Sequence, residues 1–350
     1  MIVDLHTRVW ASIDDFGASV AQASRRHRSA PWASETATAD VHAQAMGPVA
    51  YAAVLGFESG LLGAAIDAES VAAAVATSPS KNVGFVGIDP MLGGAVEKLE
   101  AALAMGLVGV TLSPAAAGFH PADTRAMALF EACVEHKVPV LVDSSAALCS
   151  EARMEFARPY LFDEVARAFP TLKLVLGGFG RPWIEEGVAM MFKHPNVYAD
   201  VSGLVRHSWQ LYNALVHAYQ AGVMNQVLFG SGFPFCSPEE AIKTLYSVNA
   251  ISQGTPLPGV PRDQLRIVVE RDTLAELGIA RPDPKKDEAQ SADVKSEASS
   301  MEFERVAVSA QGESQPMSRD NAESNLKHAP KRDDEDPPET PEPATDGATS

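Results

Sequence analysis

The chain alternates between short, unbroken apolar runs and longer segments with polar punctuation. The runs, such as Val140-Leu141-Val142, Leu174-Val175-Leu176 and Val227-Leu228-Phe229, do not alternate with polar residues. Strands covered on both faces have this pattern, which implies a parallel sheet wrapped by helices. Strands are predicted at 2–10, 49–57, 82–88, 107–112, 138–143, 172–177, 197–201 and 226–230. Helices are predicted at 67–77, 94–105, 123–136, 158–169, 183–193, 206–221, 238–252 and 262–278. Asp67 and Asp123 stand where side chains accept the free N–H groups of a first helical turn. Eight strand–helix units in about 280 residues point to a (β/α)8 barrel, the TIM-barrel class of α/β fold. No G-x-G-x-x-G follows an early strand, so a dinucleotide-binding sheet has no support.

Two stretches break the rhythm. Between Trp10 and about Gly47 lies a weakly patterned insert with a basic cluster, Arg25-Arg26-His27-Arg28, read as a solvated helix face. From residue 281 the composition turns to Asp, Glu, Lys, Pro and Ser. Such a segment buries too little to offset its ordering entropy. The domain division expected is therefore a barrel over 1–280 and a disordered acidic tail over 281–350, in which Val306-Ala307-Val308 docks at most transiently. The formal net charge of −17 makes nucleic acid and anionic membrane surfaces poor partners. No run reaches the ~18 apolar residues of a spanning helix, and no basic start with an apolar core marks a secretory signal. Cys133, Cys149 and Cys236 are scattered and odd in number, which reads as reduced thiols in a cytoplasmic protein.

In a (β/α)8 barrel chemistry sits at the C-terminal strand ends. Those ends carry His6 and Arg8, Asp89, Ser113, Asp143, Gly177-Gly178, Asp200 and Ser231-Gly232. Asp4, His6 and Arg8 lie at period two, which on a regular strand points all three the same way. Asp4 reads as structural support, Asp200 as an acceptor of loop N–H groups, and Asp89, before Pro90, as turn chemistry. Arg181 and Trp183 border the expected pocket mouth, with Cys149 near it. His120, His207 and His217 fall in loop or helix contexts and read as structural.

Several of these segments, in order, resemble the amidohydrolase-related family of metal-dependent hydrolases and decarboxylases. They are Ile2 to Trp10, Gly109 to Pro114 with Phe119 to Asp123, Pro139 to Asp143, Leu174 to Trp183 with Glu185-Glu186, His194 to Gly203, and Val227 to Phe235. The resemblance implies a divalent metal held by two His on the first strand, one each on the fifth and sixth, and an Asp on the eighth that is also the general base. At those positions this chain has His6, Arg8, Asp143, Gly178 and Gly232, so one of five ligands keeps its identity. A hydrolytic zinc site needs about three protein ligands and an open water position. Arg8 instead brings a permanent positive charge beside Asp143.

The expectation is therefore no resident metal, zinc entering only if the site is partly retained, and an Arg8–Asp143 ion pair filling the vacated cavity with His6 nearby. The leading reading is a catalytically impaired family member acting as a small-molecule-binding or partner subunit, as homodimer or with another chain. A second reading is a metal-free hydrolase or decarboxylase on a carboxylate, lactone or amide. There Arg8, Asp143 and His6 are the catalytic candidates, and Arg8, His6, Asp143 and Arg181 hold substrate. A third is a scaffold acting through the tail.

Overall fold

The computed structural model describes residues 1–26, 36–144 and 149–283. Eight parallel strands form one sheet in chain order: β1 (Val3–Thr7), β2 (Tyr51–Leu55), β3 (Asn82–Gly87), β4 (Gly109–Leu112), β5 (Val140–Val142), β6 (Leu174–Leu176), β7 (Val197–Asp200) and β8 (Val227–Leu228). The sheet curls until its edges meet. The Leu5 N–H donates to the Phe229 carbonyl at 3.1 Å, and Thr7 bridges Phe233 in parallel. This is the (β/α)8 barrel that the apolar runs predict.

Alternate residues on each strand face different layers. Leu5, Leu55, Phe85, Leu141, Val175, Tyr198 and Leu228 form one buried cluster, floored by Leu274 and Leu277. Residues of opposite parity, such as Val110, Val140, Leu174 and Val197, pack with Leu99, Leu129, Phe130 and Leu215 of the covering helices. One pleat beyond Leu141 stands Asp143, and one pleat beyond Tyr198 stands Asp200, both buried. The polar site is thus the next layer of the barrel interior.

Strand β1 departs from regularity. Its pairing with β2 aligns Asp4 with Ala52 but Thr7 with Val54, so three steps on one strand match two on the other. Such a bulge breaks strict alternation. The expected common face of Asp4, His6 and Arg8 is corrected accordingly. Asp4 accepts the Ser231 N–H at 2.9 Å and the His6 N–H at 3.2 Å, while His6 and Arg8 enter a different network.

The loop predictions fare unevenly. The predicted strand 49–57 is β2 followed by Phe57–Ser59, which pairs antiparallel with Ala64–Ile66. The predicted helix 158–169 is one 3-10 turn, Pro159–Phe162, with the proline at its start, followed by a short helix, Asp163–Ala168. The insert folds into Ile13–Phe16, Ala18–Arg26 and Ala39–Ala45. His27, Arg28 and the tail from residue 284, with 306–308, lie outside the described residues. Among the described residues no helix is long and apolar enough to cross a membrane.

Candidate functional site

Beyond their last apolar residues, β1, β5 and β7 place His6, Arg8, Asp143 and Asp200 together, all buried. The Arg8 Nη2 donates to Asp143 Oδ2 at 2.6 Å, so the expected ion pair is present. The Arg8 Nη1 lies 3.1 Å from His6 Nε2. A guanidinium only donates, so Nε2 accepts and the ring proton sits on Nδ1. Nδ1 then donates to Asp200 Oδ2 at 2.9 Å. The remaining Asp200 oxygen accepts the N–H groups of Gly178 and Ser202, each at 2.8 Å, and the Ser202 hydroxyl. The Phe16 ring covers the Arg8 guanidinium with its centroid 4.7 Å away. Ser113 Oγ adds a longer bond to Asp143, 3.3 Å.

The titrations follow from this packing. Burial pulls Arg8 below the usual guanidinium range, and the charges of Asp143 and Asp200 oppose it. Burial alone would raise Asp200. The facing imidazole and the three donors on its other side outweigh that and hold it below the ordinary carboxylate value. Asp4 has fewer donors, and burial pushes it up to about 6. Its Oδ2 has no hydrogen-bond partner.

Ser202, His6 and Asp200 have the residue types of an acyl-transfer triad, but not its geometry. A triad needs serine on one ring nitrogen and the acid on the other. Here Ser202 Oγ at 3.0 Å and Asp200 both meet Nδ1, while Nε2 is occupied by Arg8.

The residues also fail to fit a divalent ion. Among the described residues, no three His, Cys, Asp or Glu side chains come together as a ligand set. The two donors present, His6 Nε2 and Asp143, are both engaged by the Arg8 guanidinium. Gly178 and Gly232 offer no side chain, and the backbone at Gly178 has closed in. Its φ is +57°, and a Cβ there would lie 2.7 Å from the Ser202 carbonyl oxygen.

Between the helices that follow β6 and β7, Ile184–Lys193 and Ser208–Gln220, opens a cavity of about 330 Å³. Arg181, Ile184, Glu185, His207, Gln210 and His217 line it. Arg181 donates to the Gly203 carbonyl at 2.7 Å. Burial lowers its pKa, against the pull of Asp143. Arg206 stands close enough that burial and Arg181 together bring it down to about 10. His207 is lowered by burial and by both guanidinium groups.

Of the residues predicted for the site, the structure brings His6, Arg8 and Asp143 together. Arg181 is placed apart from them on the cavity wall. Trp183 packs with Ala115 and Ala157. His120 takes the Ala122 N–H, and Cys149 is buried. Ser202, Arg206 and His207 were not singled out as functional. The signal available for them was a polar run just beyond a strand end, Asp200-Val201-Ser202 and Arg206-His207.

A family model described as Amidohydrolase matches residues 3–264. No curated protein matches the sequence. Among solved structures, the chain is similar to a probable 2-pyrone-4,6-dicarboxylic acid hydrolase from Acinetobacter baumannii with citric acid bound. Identity is 15%, TM-score 0.57, with 79% of this chain and 99% of that one covered. It is similar to the 5-carboxyvanillate decarboxylase of Sphingomonas paucimobilis at 16% identity and TM-score 0.53, covering 80% and 99%. A dihydroxybenzoic acid decarboxylase from Polaromonas, with bound manganese, matches at 16% identity and TM-score 0.50, covering 79% and 96%. At these identities the structural likeness establishes the barrel fold.

Proposed function

The chain belongs to the amidohydrolase family, and on that premise we propose that it is a metal-independent member that binds a small carboxylate at the end of the barrel and carries out no metal-activated hydrolysis. One observation carries the reading. The Arg8 guanidinium lies within hydrogen-bond reach of both His6 Nε2 and Asp143, so the atoms that would grip a cation already grip one. With no metal to lower the pKa of a bound water from ~16 toward ~7, family-type hydrolysis has no nucleophile at neutral pH.

Ligand binding falls to Arg181. Its side chain lines the cavity, and it is bonded to a carbonyl, not a carboxylate. Arg206 adds positive potential next to it, and His207, held in its neutral form by burial and the two guanidinium groups, adds hydrogen-bonding capacity without charge. A planar guanidinium suits a carboxylate in two-point contact. The fold neighbours named above act on acids or are described with citric acid bound, which favours a di- or tricarboxylate as the first probe. The buried network then serves as a rigid floor. Arg8, His6 and Asp143 are only 2–3% exposed, which weighs against the reading in which they handle substrate directly.

The test is metal analysis of the purified chain together with calorimetric titration of citrate and small dicarboxylates. We expect substoichiometric divalent metal, carboxylate binding, and loss of that binding in Arg181→Met. Stoichiometric zinc or manganese with turnover of a lactone or carboxylic acid would overturn the proposal.

A further inference from the structure

We infer that Arg8 is a built-in cation of the site, and that the pocket its head group fills is a binding pocket for guanidinium-type cations. The inference deepens the reading above and rests on it. Four groups define the pocket. Asp143 takes one guanidinium edge at 2.6 Å, His6 Nε2 takes another nitrogen at 3.1 Å, and the Phe16 ring closes one side at 4.7 Å. Asp200 is the second carboxylate acting on the same charge.

These walls are fixed independently of Arg8. A Cβ on Gly177 would sit 3.4 Å from His6 Cε1, and one on Gly230 would sit 2.9 Å from His6 Cβ, so the backbone just beyond β6 and β8 lies close against the His6 side chain. Asp200 is anchored by the Gly178 and Ser202 N–H groups. Cutting Arg8 back to Cβ therefore leaves a preformed hole with the Asp143 carboxylate, an acceptor nitrogen and an aromatic lid, under the added negative charge of Asp200. A planar fork of donors satisfies Asp143 and His6 together, whereas a compact ammonium is a point charge that does not span both. Arg8 is also a positioning residue. By donating to Nε2 it keeps the His6 proton on Nδ1, directed at Asp200.

The experiment is thermal unfolding of full-length Arg8→Ala with millimolar guanidinium chloride or N-ethylguanidine, against ammonium chloride at equal ionic strength. Ligand that binds only the folded state raises Tm, by roughly 5 °C near saturation for a chain of this size. We expect that rise in Arg8→Ala with the two guanidines, no rise with ammonium, and none in the parent protein. No guanidine-specific rise, or an equal rise with ammonium, overturns the inference. Should Arg8→Ala not fold, Arg8→Lys decides. A lower Tm with altered His6 imidazole nitrogen shifts supports the fork. Parent-like Tm and shifts overturn it. Metal analysis of the parent protein keeps the two claims apart. A bound divalent ion sinks the proposed function, while a metal-free parent with an unrescued variant sinks only this inference.

Discussion

The pair at the centre of the barrel permits a quantitative test through the variants Arg8→Met, Asp143→Leu and their combination. Removing one member of a buried ion pair costs about 3–5 kcal/mol, because the other charge is stranded. The structure ranks the two singles. Arg8→Met takes away the 2.6 Å donor to Asp143 and the 3.1 Å donor to His6 Nε2 together, so it falls near the upper end, about 5 kcal/mol. Asp143→Leu leaves Arg8 with His6 Nε2 at 3.1 Å and the Asp200 charge, so it falls near the lower end, about 3 kcal/mol. The double variant strands neither charge. Its remaining loss is the donor to His6, about 1–2 kcal/mol. The two singles together would cost about 8 kcal/mol if independent, so the coupling is about 6 kcal/mol, well beyond the ~0.5–3 kcal/mol usual for contacting residues. Urea unfolding of all four proteins measures it. Domains have about 5–15 kcal/mol in total, so Arg8→Met sits near the edge of folding while the double variant folds well. A double variant no more stable than Arg8→Met, or an Arg8→Met close to the parent, would refute the view that these charges compensate each other.

Three further outcomes follow from the same geometry. Asp200→Asn keeps an acceptor for the Gly178 and Ser202 N–H groups only by turning its amide N–H2 toward His6. The ring must then move its proton to Nε2, against the Arg8 donors, and equilibrium unfolding should show a loss of about 2–4 kcal/mol. Gly178→Ala places a Cβ against the Ser202 carbonyl at φ +57° and should cost about 2–3 kcal/mol by the same assay, with an unchanged value counting against the close approach. Asp4 and His42 oppose each other with pH. The Asp4 carboxyl is raised to about 6 by burial, so its protonated form favours the fold below pH 3.8, and this support is lost as pH rises through 6. Burial, then Lys81, lowers His42 to about 4, so its contribution is present above pH 6.5 and is lost as pH falls through 4. Each shift corresponds to about 3 kcal/mol. Between pH 4.5 and 7.5 Asp4→Asn should therefore steepen the loss of stability on acidification, and His42→Gln should reverse its sign. Parallel profiles for both variants would contradict the assignment.

The barrel was legible because buried parallel strands leave an unmistakable trace, the unpunctuated apolar run. The charge compensation was legible too. Arg8 and Asp143 make sense only as partners, and they meet at 2.6 Å. Finer features were hidden for identifiable reasons. The β1 bulge depends on the pairing of Thr7 with Val54, a register that no single strand encodes, so Asp4 was grouped with His6 and Arg8 when it belongs with Ser231. The predicted helix 262–278 splits into Arg262–Glu270 and Thr273–Glu276 because Asp272 caps a new start, accepting the Ala275 N–H at 3.2 Å. Arg206 carries no signal of its own in the sequence, and His207 reads there as structural, because their proximity to Arg181 arises from separate strand–helix turns, 25 or more positions apart in sequence.

The crowding at residue 178 makes a metal-ligating side chain hard to install there. Gly178→His would have to push its first side-chain carbon into the Ser202 carbonyl, where only 2.7 Å is available. Such a substitution damages the loop before any ligand bond can form. A side chain at this position would need the segments after β6 and β7 to part first, so the backbone itself, and not only the residue types, bars a ligand from that corner of the barrel.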